Sequence, residues 1–115
     1  MRTLNDYFLT AKIADISTAS STYVGIPDGG RVIKIITALQ GVIATANAAI
    51  TFEIDGTAMT DSAITVAYSG SAAGDVDTSE PTAANTVSED GTIEIITDGA
   101  STNSRVLYVT FVIRR

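Results

Sequence analysis

The chain has 115 residues, a hydrophobic fraction of 45% and a net charge of −6 at pH 7, and it contains neither cysteine nor histidine. This length suits one domain with its own core, and the missing residue types exclude disulfides, Cys/His zinc sites and nucleophiles that need a histidine base. The seven basic residues are scattered along the sequence, so we expect no clustered cationic face for nucleic acid. We expect no membrane partner and no secretion signal either.

In chain order, the period-2 pattern of apolar and polar residues predicts strands with turn residues between them. The first is 7–16, in which Leu9, Ala11 and Ile13 share one face and Phe8, Thr10 and Lys12 the other. The remaining predicted strands are 23–27, 31–39, 49–55, 62–68, 92–97 and 105–113. Residues 17–22 are interpreted as loop or a weak edge strand, and 41–49 as loop or one short turn. Residues 69–87 form the longest irregular stretch.

Four Asp-Gly pairs mark the predicted turns, because glycine accepts positive φ and aspartate tolerates it. They are Asp28-Gly29, Asp55-Gly56, Asp90-Gly91 and Asp98-Gly99. Together the strands and turns predict an all-β fold, an antiparallel β-sandwich or jelly-roll-like single domain of six to eight strands. The last strand is apolar on both faces, which predicts a central position or a subunit interface, and with it a homotrimer.

Residues 1–8 are predicted to form an N-terminal arm before a sandwich domain at 9–115. Two interpretations stay open for the arm: terminal disorder, or ordering by a neighbouring subunit or other partner. In the second case, the candidate contact residues are Arg2, Leu4, Tyr7 and Phe8.

The acidic stretch 75–80 invites a calcium site or a carboxylate pair acting on a sugar. The EF-hand spacing is absent, so a solvated loop is the favoured interpretation. The four tyrosines could stack on a sugar, but without tryptophan we expect them to pack at strand ends and on a sheet face. No catalytic residue, cofactor or small-molecule substrate is therefore expected, and the chain is not expected to be an enzyme.

Several runs of the sequence, at 24–35, 44–51, 55–59, 70–76, 85–87 and 89–95, resemble small capsid decoration (cement) proteins of tailed bacteriophages. The resemblance implies a β-sandwich, commonly trimeric, on the outside of the mature head, where it braces the shell. It also implies the major capsid protein as partner, synthesis in the cytoplasm of the host bacterium, and a terminal arm among the contact surfaces. The expected function is thus a structural virion protein. The alternative is a carbohydrate- or receptor-binding module of a phage head or tail fibre, and a small hydrolase is a third, weaker hypothesis.

Overall fold

The computed structural model describes residues 2–115, and every regular element in that range is a β-strand. The strands are β1 Asp6–Ile13, β2 Ser20–Gly25, β3 Gly30–Leu39, β4 Ala48–Ile54, β5 Thr57–Ala58, β6 Ile64–Val66, β7 Val76–Ser79, β8 Thr86–Val87, β9 Thr92–Thr97 and β10 Leu107–Arg114. The predicted all-β class is confirmed. The strand number is above the predicted six to eight because several short strands of two to four residues were not predicted.

The strands form two antiparallel sheets packed as a sandwich. Sheet A has the order β1-β10-β3-β7, and β8 pairs with another part of β3. Sheet B has the order β2-β9-β4-β5, and β6 also pairs with β4. Strand β10 lies between β1 and β3, so the predicted central position of the last strand is confirmed.

The core lies between the inner faces of the two sheets. Its centre is an edge-to-face contact between Phe52 of β4 and Phe111 of β10, with ring centroids 5.7 Å apart and planes at 89°. Around this pair the core is mainly aliphatic, as the scarcity of aromatic residues predicts. Fully buried Ile, Leu or Val side chains contribute roughly 1.5–3 kcal/mol each. The fully buried aliphatic residues of this core include Ile13, Ile16, Ile35, Leu39, Ile43, Ile50, Ile93, Ile95, Leu107 and Ile113.

Only one of the four Asp-Gly pairs closes a hairpin. Asp55 and Gly56, at φ 51° and 77°, form the two-residue loop between the paired residues Ile54 and Thr57, as in a type I′ turn. The other pairs lie where the chain crosses from one sheet to the other. These three pairs turn the chain but join no hairpin strands, because an Asp-Gly pair specifies a sharp reversal of the chain but not which sheet receives the next strand.

Strand β1 begins at Asp6, so residues 6–8 of the predicted N-terminal arm lie in a strand. Asp6, Tyr7 and Phe8 pair with residues 112–114 of β10 and belong to sheet A. The residues just before them form a hydrogen-bonded turn, in which the backbone N–H of Asp6 donates to the Thr3 carbonyl at 3.1 Å. Met1 lies outside the described residues.

An ion pair fixes this end of sheet A. Arg114 donates from Nε to Asp6 Oδ1 at 2.8 Å and from Nη2 to Oδ2 at 3.1 Å. The Thr3 backbone N–H and hydroxyl also donate to the same carboxylate, at 3.0 and 3.1 Å. A bidentate Arg–carboxylate pair of this kind is stronger than a single charged hydrogen bond. The carboxylate therefore joins the first turn, β1 and β10.

Gly56 and Gly99 provide a matched test of the turns. Both have positive φ, 77° and 70°, but a Cβ added at Gly99 would lie 2.6 Å from the Ala19 nitrogen, whereas one at Gly56 meets nothing within 4 Å. Gly56→Ala should lower the free energy of unfolding by about 1–2 kcal/mol through backbone strain alone. Gly99→Ala should lower it clearly more, because its Cβ also meets the Ala19 backbone. Urea denaturation of both variants measures the difference. Equal losses would show that the chain around Ala19 is not held against Gly99.

Asp6→Asn tests the ion pair through its pH dependence. The hydrogen bonds from Arg114, and those from Thr3, hold the pKa of Asp6 well below its usual range. The stabilisation is therefore complete above the unfolded-state pKa of about 3.9 and is lost as pH falls further. In urea titrations, the variant should have a lower free energy of unfolding than the parent at pH 7. The difference between the two free energies should become smaller below about pH 4. Glu80→Gln, at an exposed carboxylate, is the control, and a gap independent of pH would contradict the assignment.

Candidate contact surface

The four predicted contact residues have different surroundings. Leu4 is 100% exposed, in the turn before β1, and Arg2 is also exposed. Phe8 is 57% exposed and points away from the core. These three side chains are accessible to a partner.

Tyr7 is engaged within the chain instead. Its side chain packs against the core, and its hydroxyl donates to the Asp28 carbonyl. The Arg115 guanidinium lies 5.5 Å from the centre of its ring and 3.3 Å from the Asp28 carboxylate. Burial, followed by the nearby charge of Asp28, raises the pKa of Tyr7. Tyr7 therefore links β1 to Arg115 and, through Asp28, to the loop after β2.

The outward side chains of sheet A form a surface that we call the A face. Its members alternate along their strands with residues that point into the core, and strand register places them in rows across the sheet. They are Phe8, Thr10, Lys12, Lys34, Ile36, Ala38, Val76, Thr78, Tyr108, Thr110 and Val112. The hydroxyls of Thr10 and Thr110 are 3.1 Å apart and link two of the strands.

The A face is partly apolar. Val76 is 59% exposed and Tyr108 40% exposed. Val112 is only 2% exposed although it is not part of the core cluster. It lies in register between Phe8 on β1 and Lys34 on β3, so its neighbours on the A face cover it. Apolar side chains collected on a sheet face mark a surface suited to contact with another protein.

Sequence reasoning named Phe8 as a candidate contact residue and expected Tyr108 on a sheet face, but it proposed neither Tyr108 nor Val76 as a contact residue. The period-2 pattern of β10 places Tyr108 on the same side as Thr110 and Val112, so the sequence contained a signal for it. No comparable signal existed for Val76. It lies in β7, which was not predicted, and only its pairing with Ala38 brings it to the A face.

The acidic residues of 75–80 do not form the calcium site or the carboxylate pair that were considered as alternatives. The Asp75 carboxylate accepts a hydrogen bond from the backbone of Ala72 at 2.9 Å, while burial and the charge of Asp75 raise the pKa of Asp77. Within residues 2–115, no three acidic side chains come together as metal ligands, and no pocket opens. In the same range, no helix is long and apolar enough to cross a membrane.

The tyrosines form no shared platform in the described chain. Tyr7 packs inward, Tyr23 lies on the outer side of sheet B, Tyr68 follows β6 and Tyr108 lies on the A face. Stacking a sugar ring needs an aromatic side chain beside other groups that hold the ring. The four tyrosines therefore provide no shared stacking surface for a sugar ring.

No family model and no curated protein matches the sequence. Among solved structures, the chain is similar to a chain of the acidic stable capsid structure of Helicobacter pylori bacteriophage KHP30, with a TM-score of 0.66 and 16% sequence identity. The alignment covers 96% of this chain and 87% of that chain. The likeness shows a shared fold along nearly the whole length of both chains.

Proposed function

We propose that this chain is a structural protein of a tailed-phage virion, which binds the outer surface of the capsid and stabilises the head. The observation that carries the proposal is the fold, shared over 96% of the chain with a chain from a phage capsid structure. The partner would be the major capsid protein, and the chain would be made in the cytoplasm of the host bacterium. On this proposal, function comes from contact between surfaces and involves no catalysis.

The surface of the sandwich supports a binding role. The A face offers apolar and aromatic side chains on a sheet whose strands are held by backbone pairing on both sides of β10. A surface on paired strands loses little conformational entropy when it binds. Leu4, in the turn before β1, adds a fully exposed apolar side chain. Both features suit a protein that braces a lattice.

A homotrimer is part of the proposal. Alternate side chains of β10 lie in the core and on the A face. A trimer contact on another surface of the sandwich would leave the A face free to bind the capsid. Three linked copies would bind a lattice more tightly than one, because the second and third contacts become intramolecular. Light scattering at micromolar concentration distinguishes monomer from trimer.

The function is tested on phage heads that lack this chain. We expect purified virions to contain the chain at a copy number comparable to that of the capsid protein. Adding the purified protein to heads without it should raise the temperature at which they release DNA. A few copies per virion, as for a fibre, or binding without any gain in head stability would contradict the proposal.

Leu4 is tested with a matched pair of variants in the same assay. Leu4→Ser should lower occupancy on heads because an exposed apolar contact is lost, and it should change folding stability by no more than about 0.5 kcal/mol. Val42→Ser is the control, since Val42 is also exposed, at 50%, but lies in the loop after β3. Equal occupancy of the two variants would remove Leu4 from the contact surface.

A further inference from the structure

The two outer faces of the sandwich differ in charge. The outward side chains of sheet B form what we call the B face: Ser21, Tyr23, Thr51, Glu53, Glu94 and Ile96. Glu53 and Glu94 are direct neighbours on adjacent strands. The Glu94 carboxylate accepts a hydrogen bond from the Ser21 hydroxyl at 2.6 Å, and its charge is the main cause of the raised pKa of Tyr23.

The A face has the opposite charge. It carries both lysines of the chain, Lys12 and Lys34, and Arg31 lies exposed at its end. On the strands of sheet A, the acidic residues are Asp6 and Asp77. Asp6 is paired with Arg114, and Asp77 is in register with the buried Thr37. Asp75 and Glu80 are exposed directly before and after β7, at the edge of this sheet. On the strands themselves, the unpaired outward charges of sheet A are positive, in a chain whose net charge is −6.

The sequence alone predicted scattered basic residues. Lys12 and Lys34 are far apart along the chain, but β1 and β3 flank β10 in the same sheet and point both side chains to the same side. Chain folding therefore gathers cations beside the exposed Phe8, Tyr108 and Val76.

We propose that the A face docks on an acidic protein surface of the phage head and that the B face remains turned to solvent. This inference rests on the proposed function and names the docking surface and the chemistry of its partner. Opposite charges orient the approach of the two proteins and exclude the reversed orientation, which would bring Glu53 and Glu94 to the acidic partner. The aromatic and aliphatic side chains of the A face supply the contact that is buried on docking.

A second copy of the chain fits the A face poorly. Two A faces would bring like charges together. An A face on a B face would match in charge, but the two lie on opposite sides of the sandwich. A head-to-tail contact between opposite sides repeats without closing and produces fibres rather than a trimer. The occupant is therefore a different, acidic protein.

Single cysteines report directly which face is covered, because the natural chain has none. Tyr108→Cys and Tyr23→Cys place one thiol on each face, at side chains that are 40% and 63% exposed. On heads, the Tyr108→Cys variant should lose its reactivity towards a maleimide dye, and the Tyr23→Cys variant should keep it. Protection of the Tyr23→Cys variant alone would overturn the orientation.

Charge is tested with two double variants that each lower the net charge of the chain by two. Lys12→Gln with Lys34→Gln alters the A face, and Thr65→Glu with Thr92→Glu alters exposed outward positions of sheet B. At low salt, the first should bind heads roughly five- to tenfold more weakly than the parent and show a weaker dependence on salt concentration. The second should bind nearly as the parent does.

The outcomes separate this inference from the proposed function. If the parent binds heads and both double variants bind equally well, the A face is not the docking surface, although the head-binding function stands. If the parent does not bind heads, the proposed function fails. If the lysine variant changes the mass measured by light scattering, the A face lies between copies of this chain. If the parent retards duplex DNA in a gel at the same salt concentration, the partner is nucleic acid. All four results overturn the inference, and only the second also overturns the proposed function.

Discussion

Packing of the two sheets against each other is the constraint on which the rest of the structure depends. Phe52 and Phe111 meet at its centre, one from each sheet. Truncating a buried Phe to Ala typically costs about 3–5 kcal/mol, a large share of the roughly 5–15 kcal/mol that stabilises a whole domain. The chain has no cysteine, so no disulfide holds the two sheets together.

Strand β10 connects the core to the surface. Its inward residues, including Val109 and Phe111, fill the core, while Tyr108 and Thr110 lie on the A face. The alternation that buries one side of a strand necessarily displays the other side. The same pairing with β1 and β3 therefore holds the core and sets the spacing of the side chains on the A face.

Much of the fold could be predicted because local pattern determines it. Strand β9 has the predicted bounds of 92–97, and the alternation in 7–13 separates the core face from the A face correctly. Strand β7 was not predicted because it is a four-residue edge strand between glycine- and proline-containing segments. Its own sequence has no clear strand pattern, and pairing with β3 stabilises it. Edge strands of this kind are defined by their neighbours rather than by their own propensity.

The candidate contact surface was only partly predictable, for a related reason. Exposure of Leu4 and Phe8 follows from local sequence, but the engagement of Tyr7 with Asp28 and Arg115 joins three distant parts of the chain. The gathering of Lys12 and Lys34 likewise depends on strand order, which the sequence did not determine. Sequence patterns establish which residues share a face within a strand, and the sheet decides which strands share that face.

A reconstruction of the whole virion by electron cryomicroscopy tests the central claim most directly. The account predicts density for this sandwich on the outer surface of the head, with the sheet containing β1, β10 and β3 towards the shell and the sheet containing Glu53 and Glu94 towards solvent. Density confined to the tail or its fibres, or a sandwich seated on the shell through the Glu53 and Glu94 face, would contradict it.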